Sequence, residues 1–407
     1  MSQLVPVMVG LPLLGAALSM VFIRSRDTQR MISLVVSTAV VALAITLLVG
    51  VDRDGTAVAS LGGWAPEIAI NLVADRFAGI MLTISTTMLL AVLVYAIGQH
   101  DDNEGSRFYH PAYLTLIGGV CGAFLAADLF NLFVWFEVLL IASYVLLTLD
   151  GDDRQIRTGT TYVVRNVGES LVLVTGVALI FAATGTLNMA MLPDRLAELP
   201  DGIRLGLNLL LLIAFGLKAA VFPLYSWLPD SYPSAPSPVS AVFAGLLTKI
   251  GVYAIIRTQT LLFPESNRTL LLVIAGLTMV VGVVGAIAQS DMKRILSFHI
   301  VSQIGYMIMG VALGGLAAIS ATIFYMIHHI PVKTSLFLVE GIVTRDSGTS
   351  ELSKVSGLAR RSGPLAALFL IPAFSLAGLP PFSGFLGKAA VVTEGIAQQS
   401  WWLVGAA

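Results

Sequence analysis

Charge is the scarcest ingredient of this 407-residue chain: Asp, Glu, Lys and Arg make up 12% of it, against roughly 25% in an ordinary soluble domain. A water-facing surface cannot be built from so few polar groups. The two signs nearly cancel, with 23 basic and 24 acidic residues, so a basic face able to grip nucleic acid is excluded. Cysteine is almost missing as well. Cys121 alone can close no internal disulfide, and no CxxC, CxxCH or Cys/His cluster offers a seat for iron–sulfur, haem or structural zinc. A GxxxxGK[ST] phosphate cradle is also lacking, so any ion this chain moves must be driven by an existing gradient or by a partner. These absences predict no cofactor and no metal, and a transporter subunit in place of an enzyme.

What is abundant is apolar: 57% of the chain is hydrophobic. Apolar runs near residues 4–23, 31–50, 76–98, 111–127, 130–149, 160–184, 205–222, 237–257, 268–289, 294–314, 317–341 and 364–379 are each long enough for a helix across a hydrocarbon core of ~30 Å, some with tilt. A further helix is expected near Lys388. The fold class is therefore an all-α polytopic membrane protein of about 12–14 spans. The first run precedes its positive residues Arg24, Arg26 and Arg30 and so reads as a span, not a secretory signal. Those arginines, Lys293 with Arg294, and Arg345, Lys354, Arg360 and Arg361 all follow odd-numbered spans, which predicts an extracytoplasmic N-terminus. The loops at 99–109 and 150–158 are acidic or mixed and add nothing to that assignment.

An internal repeat emerges when Gly119-Val-Cys-Gly-Ala-Phe-Leu-Ala-Ala-Asp128 is laid over Gly282-Val-Val-Gly-Ala-Ile-Ala-Gln-Ser-Asp291, a shift of 291 − 128 = 163. With a shift of 381 − 223 = 158, Pro223, Trp227 and Leu228 fall on Pro381, Phe385 and Leu386. The loop charges place the two copies on opposite sides, which makes them inverted. Three segments are expected: N-terminal helices over 1–110, a first bundle over 111–260 and a second over 268–407. Inverted-repeat transporters place ion sites on interrupted helices near the midplane. Two interruptions are visible, one at Pro223 and Pro229 and one at Pro380 and Pro381, where proline cannot donate to the helix ladder.

The few charges inside the apolar runs are the candidate site. Glu137 has apolar neighbours all round its helix, Lys218 lies one turn before the first break, and Lys249 lies roughly 18 Å into the helix that Ser237 and Pro238 begin, at ~1.5 Å per residue. Burial disfavours a charged lysine and a nearby ionised glutamate favours it, so such a set can pass a proton; the rival reading is a static ion pair that only fixes helix packing. His329 and Lys333 share a helix face at i and i+4, and histidine carries protons near neutral pH. His328 is adjacent, but neighbouring histidines on a helix diverge, and no third metal ligand stands at useful spacing. His299 is a relay member or a buried hydrogen-bonding residue. Lys388 follows the second break and either faces the path or snorkels from a helix end. Arg165 and Glu169 read as an intrahelical pair, and Asp128 and Glu340 as residues of the membrane interface.

Several motifs carry a resemblance. Pro223-Leu-Tyr-Ser-Trp-Leu-Pro-Asp230, Pro236-Ser-Pro-Val-Ser-Ala241, Gly245-Leu-Leu-Thr-Lys-Ile-Gly-Val-Tyr253 and Leu379-Pro-Pro-Phe-Ser-Gly-Phe385 resemble the antiporter-like subunits shared by respiratory complex I and Mrp-type antiporters. Ser290-Asp-Met-Lys-Arg-Ile-Leu-Ser-Phe-His-Ile-Val-Ser-Gln-Ile-Gly-Tyr306 and the His328-His329…Lys333 stretch look most like the D subunits of the Mrp branch. The resemblance spans nearly the whole chain. It implies about fourteen helices with two inverted five-helix repeats and two broken helices. It also implies a proton path through Glu137, Lys218, Lys249 and Lys388. Lysine at 388 favours the Mrp branch, although one complex I subunit also has lysine there.

The family carries further helices beyond the point where this chain stops, at Trp401-Trp-Leu-Val-Gly-Ala-Ala407, so the second bundle is expected to lack its final spans. The implied partners are the other subunits of a membrane antiporter complex, with sodium or a similar cation exchanged for protons in a bacterial cell membrane. Sodium wants several oxygen ligands, which a lysine and histidine set does not offer, so the expected passenger here is the proton. Two alternatives stand beside this reading: a proton-pumping subunit of an NADH:quinone oxidoreductase or membrane-bound hydrogenase, and a noncatalytic membrane scaffold.

Overall fold

The computed structural model describes residues 1–65, 67–99, 104, 106–149, 151, 153–264 and 266–407. Parts of the 99–109 and 150–158 loops, and the side chains of Arg154 and Arg361, lie outside the described residues. The chain begins with α1 (Leu4–Val21), α2 (Arg26–Asp54), the strands β1 (Ala57–Leu61) and β2 (Ile70–Ala74), α3 (Arg76–Gln99), α4 (Tyr109–Leu125), α5 (Leu129–Leu147) and α6 (Asp153–Thr184). A short α7 (Leu192–Ala197) leads to α8 (Asp201–Ala219), then α9 (Leu228–Ser231), α10 (Ser237–Val242), α11 (Thr248–Arg257) and α12 (Arg268–Ile287). The remainder comprises α13 (Met292–Leu313), α14 (Gly315–Ser347), the short α15 (Leu358–Arg361), α16 (Gly363–Ala377), α17 (Ser383–Ala397) and α18 (Trp401–Ala406).

Among the described residues, 10 helical segments are long and apolar enough to cross a membrane. In hydrocarbon every backbone N–H and C=O must be satisfied within its own segment, which is why apolar runs of this length fold as helices. Their outward faces are oily: Ile287 is 79% exposed and Leu316 is 87% exposed, which water would penalise and lipid tails do not. The segment Ser237–Leu262 is the opposite case, with its apolar stretch buried inside the protein.

The chain forms two compact units, Met1–Phe215 with Leu261–Pro264 and Gly216–Thr260 with Glu265–Ala407. In the first, β1 and β2 pair as an antiparallel hairpin between α2 and α3, with Ala57 opposite Ala74 and Leu61 opposite Ile70. This hairpin departs from the purely helical expectation. The 51–75 loop is long enough to pair with itself, and Leu72 and Ala74 of β2 bury their side chains while Leu72 bridges to Ala126.

Each unit also contains one copy of the same capping arrangement. Asp128 accepts a hydrogen bond from the backbone N–H of Asn131 at 2.7 Å and so caps α5; Asp291 accepts one from Arg294 at 2.9 Å and caps α13. Around Asp128, Leu129 N–H donates to Leu187 O at 3.1 Å and Met189 N–H to Ala127 O at 2.9 Å. Around Asp291, Met292 N–H donates to Ser350 O at 2.9 Å and Leu352 N–H to Ser290 O at 3.0 Å. Every residue in the second set is the first shifted by 163, as in 292 − 129 and 350 − 187, the same shift that aligns the two sequences. Asp128 and Glu340, expected at the interface, are both buried by protein, Glu340 completely.

Candidate functional site

In the second unit, α8 ends at a break. Ala220 takes a left-handed conformation (φ 60°), a cis bond joins Phe222 to Pro223, and a short 3-10 turn over Leu224–Trp227 follows. The backbone groups that the break frees find side-chain partners. Phe222 N–H donates to Thr278 Oγ1 of α12 at 3.0 Å, and the indole N–H of Trp227 donates to Leu217 O, also at 3.0 Å. Lys218 is buried in the last turn before the break. Pro223 is exposed and Pro229 is buried at the start of α9.

From Ser237 a helix runs through α10 into a π turn, Phe243–Leu247, and on into α11. Single π turns inside helices recur at functional sites because they widen the ladder and free carbonyls. Here Lys249, fully buried, sends its ammonium back across that turn to Ala244 O at 2.6 Å and to Thr248 Oγ1 at 3.3 Å. Two glycines set its surroundings. A side-chain carbon at Gly245 would collide with Thr334 Oγ1 of α14, and one at Gly251 would lie 2.6 Å from Ala219 N and 2.9 Å from Lys218 C. The helix of Lys249 is thus held backbone to backbone against the Lys218 turn, and close to α14.

On α14, His328, His329 and Lys333 are all buried. Lys333 donates to Leu296 O of α13 at 3.1 Å. Neither ring nitrogen of His329 has a hydrogen-bond partner among the described residues, nor does Nδ1 of His299. Buried polar atoms are rarely left so, and those that are call for an explanation. The charges of Lys249 and Lys388 act on Lys333, and those of Lys249, Lys333, His328 and His299 act on His329. A proton on one member is repelled by a proton on the next. Among the described residues no carboxylate pairs with Lys249 or Lys333.

The second break repeats the logic of the first. Gly378 ends α16 in a left-handed conformation (φ 83°), a cis bond joins the exposed Pro380 and Pro381, and α17 starts at Ser383. His328 Nδ1 and Ser383 Oγ share a hydrogen bond of 2.9 Å, and Ser375 Oγ accepts from Gly384 N–H at 3.3 Å. A side chain at Gly384 would strike Ser375 O, so glycine lets the two half-helices meet. Lys388, half-buried, stands with its ammonium 5.0 Å from the centre of the Tyr306 ring, a cation–π geometry. Tyr325, fully buried, donates to Gln303 Oε1 and lies 5.7 Å from Tyr306, ring centre to ring centre. Sequence reasoning missed these aromatic and amide groups, because a tyrosine in an apolar helix carries no mark of its neighbours.

The second unit therefore brings Lys218, Lys249, His299, His328, His329, Lys333 and Lys388 into one body. Glu137 belongs to the first unit, half-buried on α5, where its carboxylate accepts a hydrogen bond from Ser170 of α6.

Comparison with known proteins places this arrangement. Residues 126–407 match the family described as NADH:quinone oxidoreductase/Mrp antiporter, transmembrane. The chain is 42% identical to the D subunit of a Na(+)/H(+) antiporter from Alkalihalophilus pseudofirmus, over 100% of this chain and 83% of the relative. It is 38% identical to the D subunit of a Na(+)/H(+) antiporter from Bacillus subtilis, over 95% of this chain and 80% of the relative. Its fold matches a chain of the Mrp complex from Dietzia sp. with a TM-score of 0.94 and 34% identity, covering 100% of this chain and 77% of that one. A chain of respiratory complex I from Thermus thermophilus matches with a TM-score of 0.87 and 26% identity, covering 99% and 84%. With a family match over more than half its length and relatives of this similarity, the chain belongs to the NADH:quinone oxidoreductase/Mrp antiporter family of membrane subunits, alongside its antiporter D subunits.

Proposed function

We propose that this chain is the proton-translocating subunit of a multisubunit sodium/proton antiporter in a bacterial cell membrane. Protons would pass along Glu137, Lys218, Lys249 and Lys388, with His299, His328, His329 and Lys333 as intermediate carriers. The observation that carries this reading is a pair of fully buried lysines, Lys249 and Lys333, that no carboxylate neutralises among the described residues. An ammonium held in hydrocarbon without a counter-ion is costly, and such groups in membrane proteins mark ion pathways. A static packing role would be met by pairing each lysine or replacing it with an apolar side chain.

The titratable groups of the proposed path are lysines and histidines with Glu137 as the one carboxylate. That chemistry suits a proton and not sodium, which needs several oxygens. Sodium then crosses elsewhere in the assembly, and the lysines shuttle the protons exchanged for it. The test is sodium-dependent proton exchange in everted vesicles carrying the assembled complex with Lys249→Ala. Loss of exchange with assembly intact is expected; undiminished exchange would refute the relay.

A further inference from the structure

Glu340 is a carboxylate that the relay above does not use, and it is completely enclosed near the end of α14. Three elements converge on it. Thr344 of its own helix donates to Oε1 at 2.6 Å, Ser237 at the start of α10 donates to Oε2 at 3.4 Å, and Lys293 Nζ in the first turn of α13 lies 3.9 Å from Oε2. The Lys293 side chain is 12% exposed where that of Glu340 is 0%, so lysine is the partner that reaches the surface. Neighbouring charges are otherwise engaged. Asp291, which also acts on Glu340, caps α13 and is bonded by Ser350, and Arg294 pairs with Asp230 at 3.1 Å.

The position on α14 matters. Glu340 follows Lys333 by seven residues, two helical turns, which places both on one face about 10 Å apart along the axis. The same stretch of α13 serves both: Lys333 donates to Leu296 O, and Lys293, one turn earlier, donates to Ala235 O at 3.2 Å. The groups that hold the carboxyl are hydroxyls, which can donate to an ionised oxygen or accept from a protonated one. Backbone N–H donors, which cannot accept a proton's hydrogen bond, would favour the ionised form. At 3.9 Å the ammonium contact is also looser than a hydrogen bond.

We infer that Glu340, backed by Lys293, is the group through which protons pass between Lys333 and the aqueous phase at the α13–α14 end of this unit. This rests on the relay reading of the preceding subsection. A proton leaving the Lys333 ammonium crosses by water to the Glu340 carboxylate, giving neutral lysine and a carboxylic acid. The acid then releases it to water beside Lys293, whose charge restores the carboxylate. The sequence runs equally in reverse. The basic residues Lys293, Arg294, Arg345 and Lys354 gather at this end, which the positive-inside rule assigns to the cytoplasm.

The experiment compares Glu340→Gln, Glu340→Asp and Lys249→Ala in the assembled complex, by sodium-dependent proton exchange in everted vesicles. Glu340→Gln is expected to slow exchange at least about tenfold, as loss of a proton-transferring group does, while Glu340→Asp retains most of it. Equal impairment of the Gln and Asp variants, or wild-type exchange in Glu340→Gln, overturns the assignment. Should Glu340→Gln fail to assemble, the double variant Ser237→Ala/Thr344→Val keeps the carboxyl and removes its hydroxyls. Slowed exchange supports the assignment and wild-type exchange overturns it. Lys249→Ala separates the two claims: if it exchanges normally the relay itself fails, and if it is inactive while Glu340→Gln is normal, only the role of Glu340 fails.

Discussion

Lys249 reaches back across a π turn to the carbonyl oxygen of Ala244, five residues earlier and 2.6 Å away. The widened turn and the buried ammonium belong together: one supplies a free acceptor, the other uses it in place of a counter-ion. The hydrogen bond holds the Lys249 nitrogen in place, and no carboxylate pairs with it among the described residues.

The close approach of this helix to α14 depends on a lack of side chain at position 245. Gly245→Ala puts a carbon against Thr334 Oγ1, and overpacking of this kind costs about 1–3 kcal/mol. We expect a lower melting temperature of the purified complex and slower exchange, both relieved by adding Thr334→Ala, which removes the clashing oxygen. No relief by the second change would contradict the proposed contact.

His329 has no hydrogen-bond partner among the described residues although it is fully buried. His329→Gln has a similar size but cannot carry a proton. Exchange is expected to fall at least about tenfold with normal assembly, measured by dye fluorescence in everted vesicles. Full activity would remove His329 from the path.

At the first break, Thr278 satisfies the N–H of Phe222. Thr278→Val keeps the shape and leaves that donor unpaired in the interior, a loss of about 1–3 kcal/mol. Thermal unfolding should show it, whereas Thr278→Ser should unfold near the wild-type temperature.

In the first unit, Glu104 is buried among Arg26, Arg30 and His110, with hydrogen bonds of 2.7 Å from Arg30 Nε and 2.9 Å shared with His110 Nε2. Burial pushes its carboxyl up, but the bonds from Arg30, Arg26 and His110 outweigh that and hold it down at about 2. A depressed carboxyl stabilises the fold above its unfolded value, near 4.5, and loses that contribution as pH falls toward 2. Glu104→Gln should therefore be destabilised at pH 7 by on the order of 3 kcal/mol, with the gap from wild type closing between about pH 4.5 and 2. A gap independent of pH would contradict the pairing.

Much of this architecture is legible in the sequence because lipid imposes simple rules. Apolar length gave the spans, and the 163-residue shift reappears as identical bridges around Asp128 and Asp291. Proline placed both breaks. Lys249 stood out as a charge far inside an apolar run, and the protein encloses it fully. What stayed hidden depends on neighbours. Glu340 lies near the end of its run and reads as interfacial, yet α10 and α13 cover it. The π turn carries no sequence mark, and Glu104 meets Arg26 and Arg30 across more than seventy residues of chain.

The central claim is that buried lysines of the second unit carry protons. It is tested most directly by purifying the complex with Lys249→Ala, sealing it in liposomes with an internal pH dye, and applying a sodium gradient. The account predicts that the wild type drives a pH change and the variant, equally assembled, drives almost none, with Lys249→Arg also impaired because guanidinium does not release its proton. A pH change of wild-type size in Lys249→Ala would contradict it.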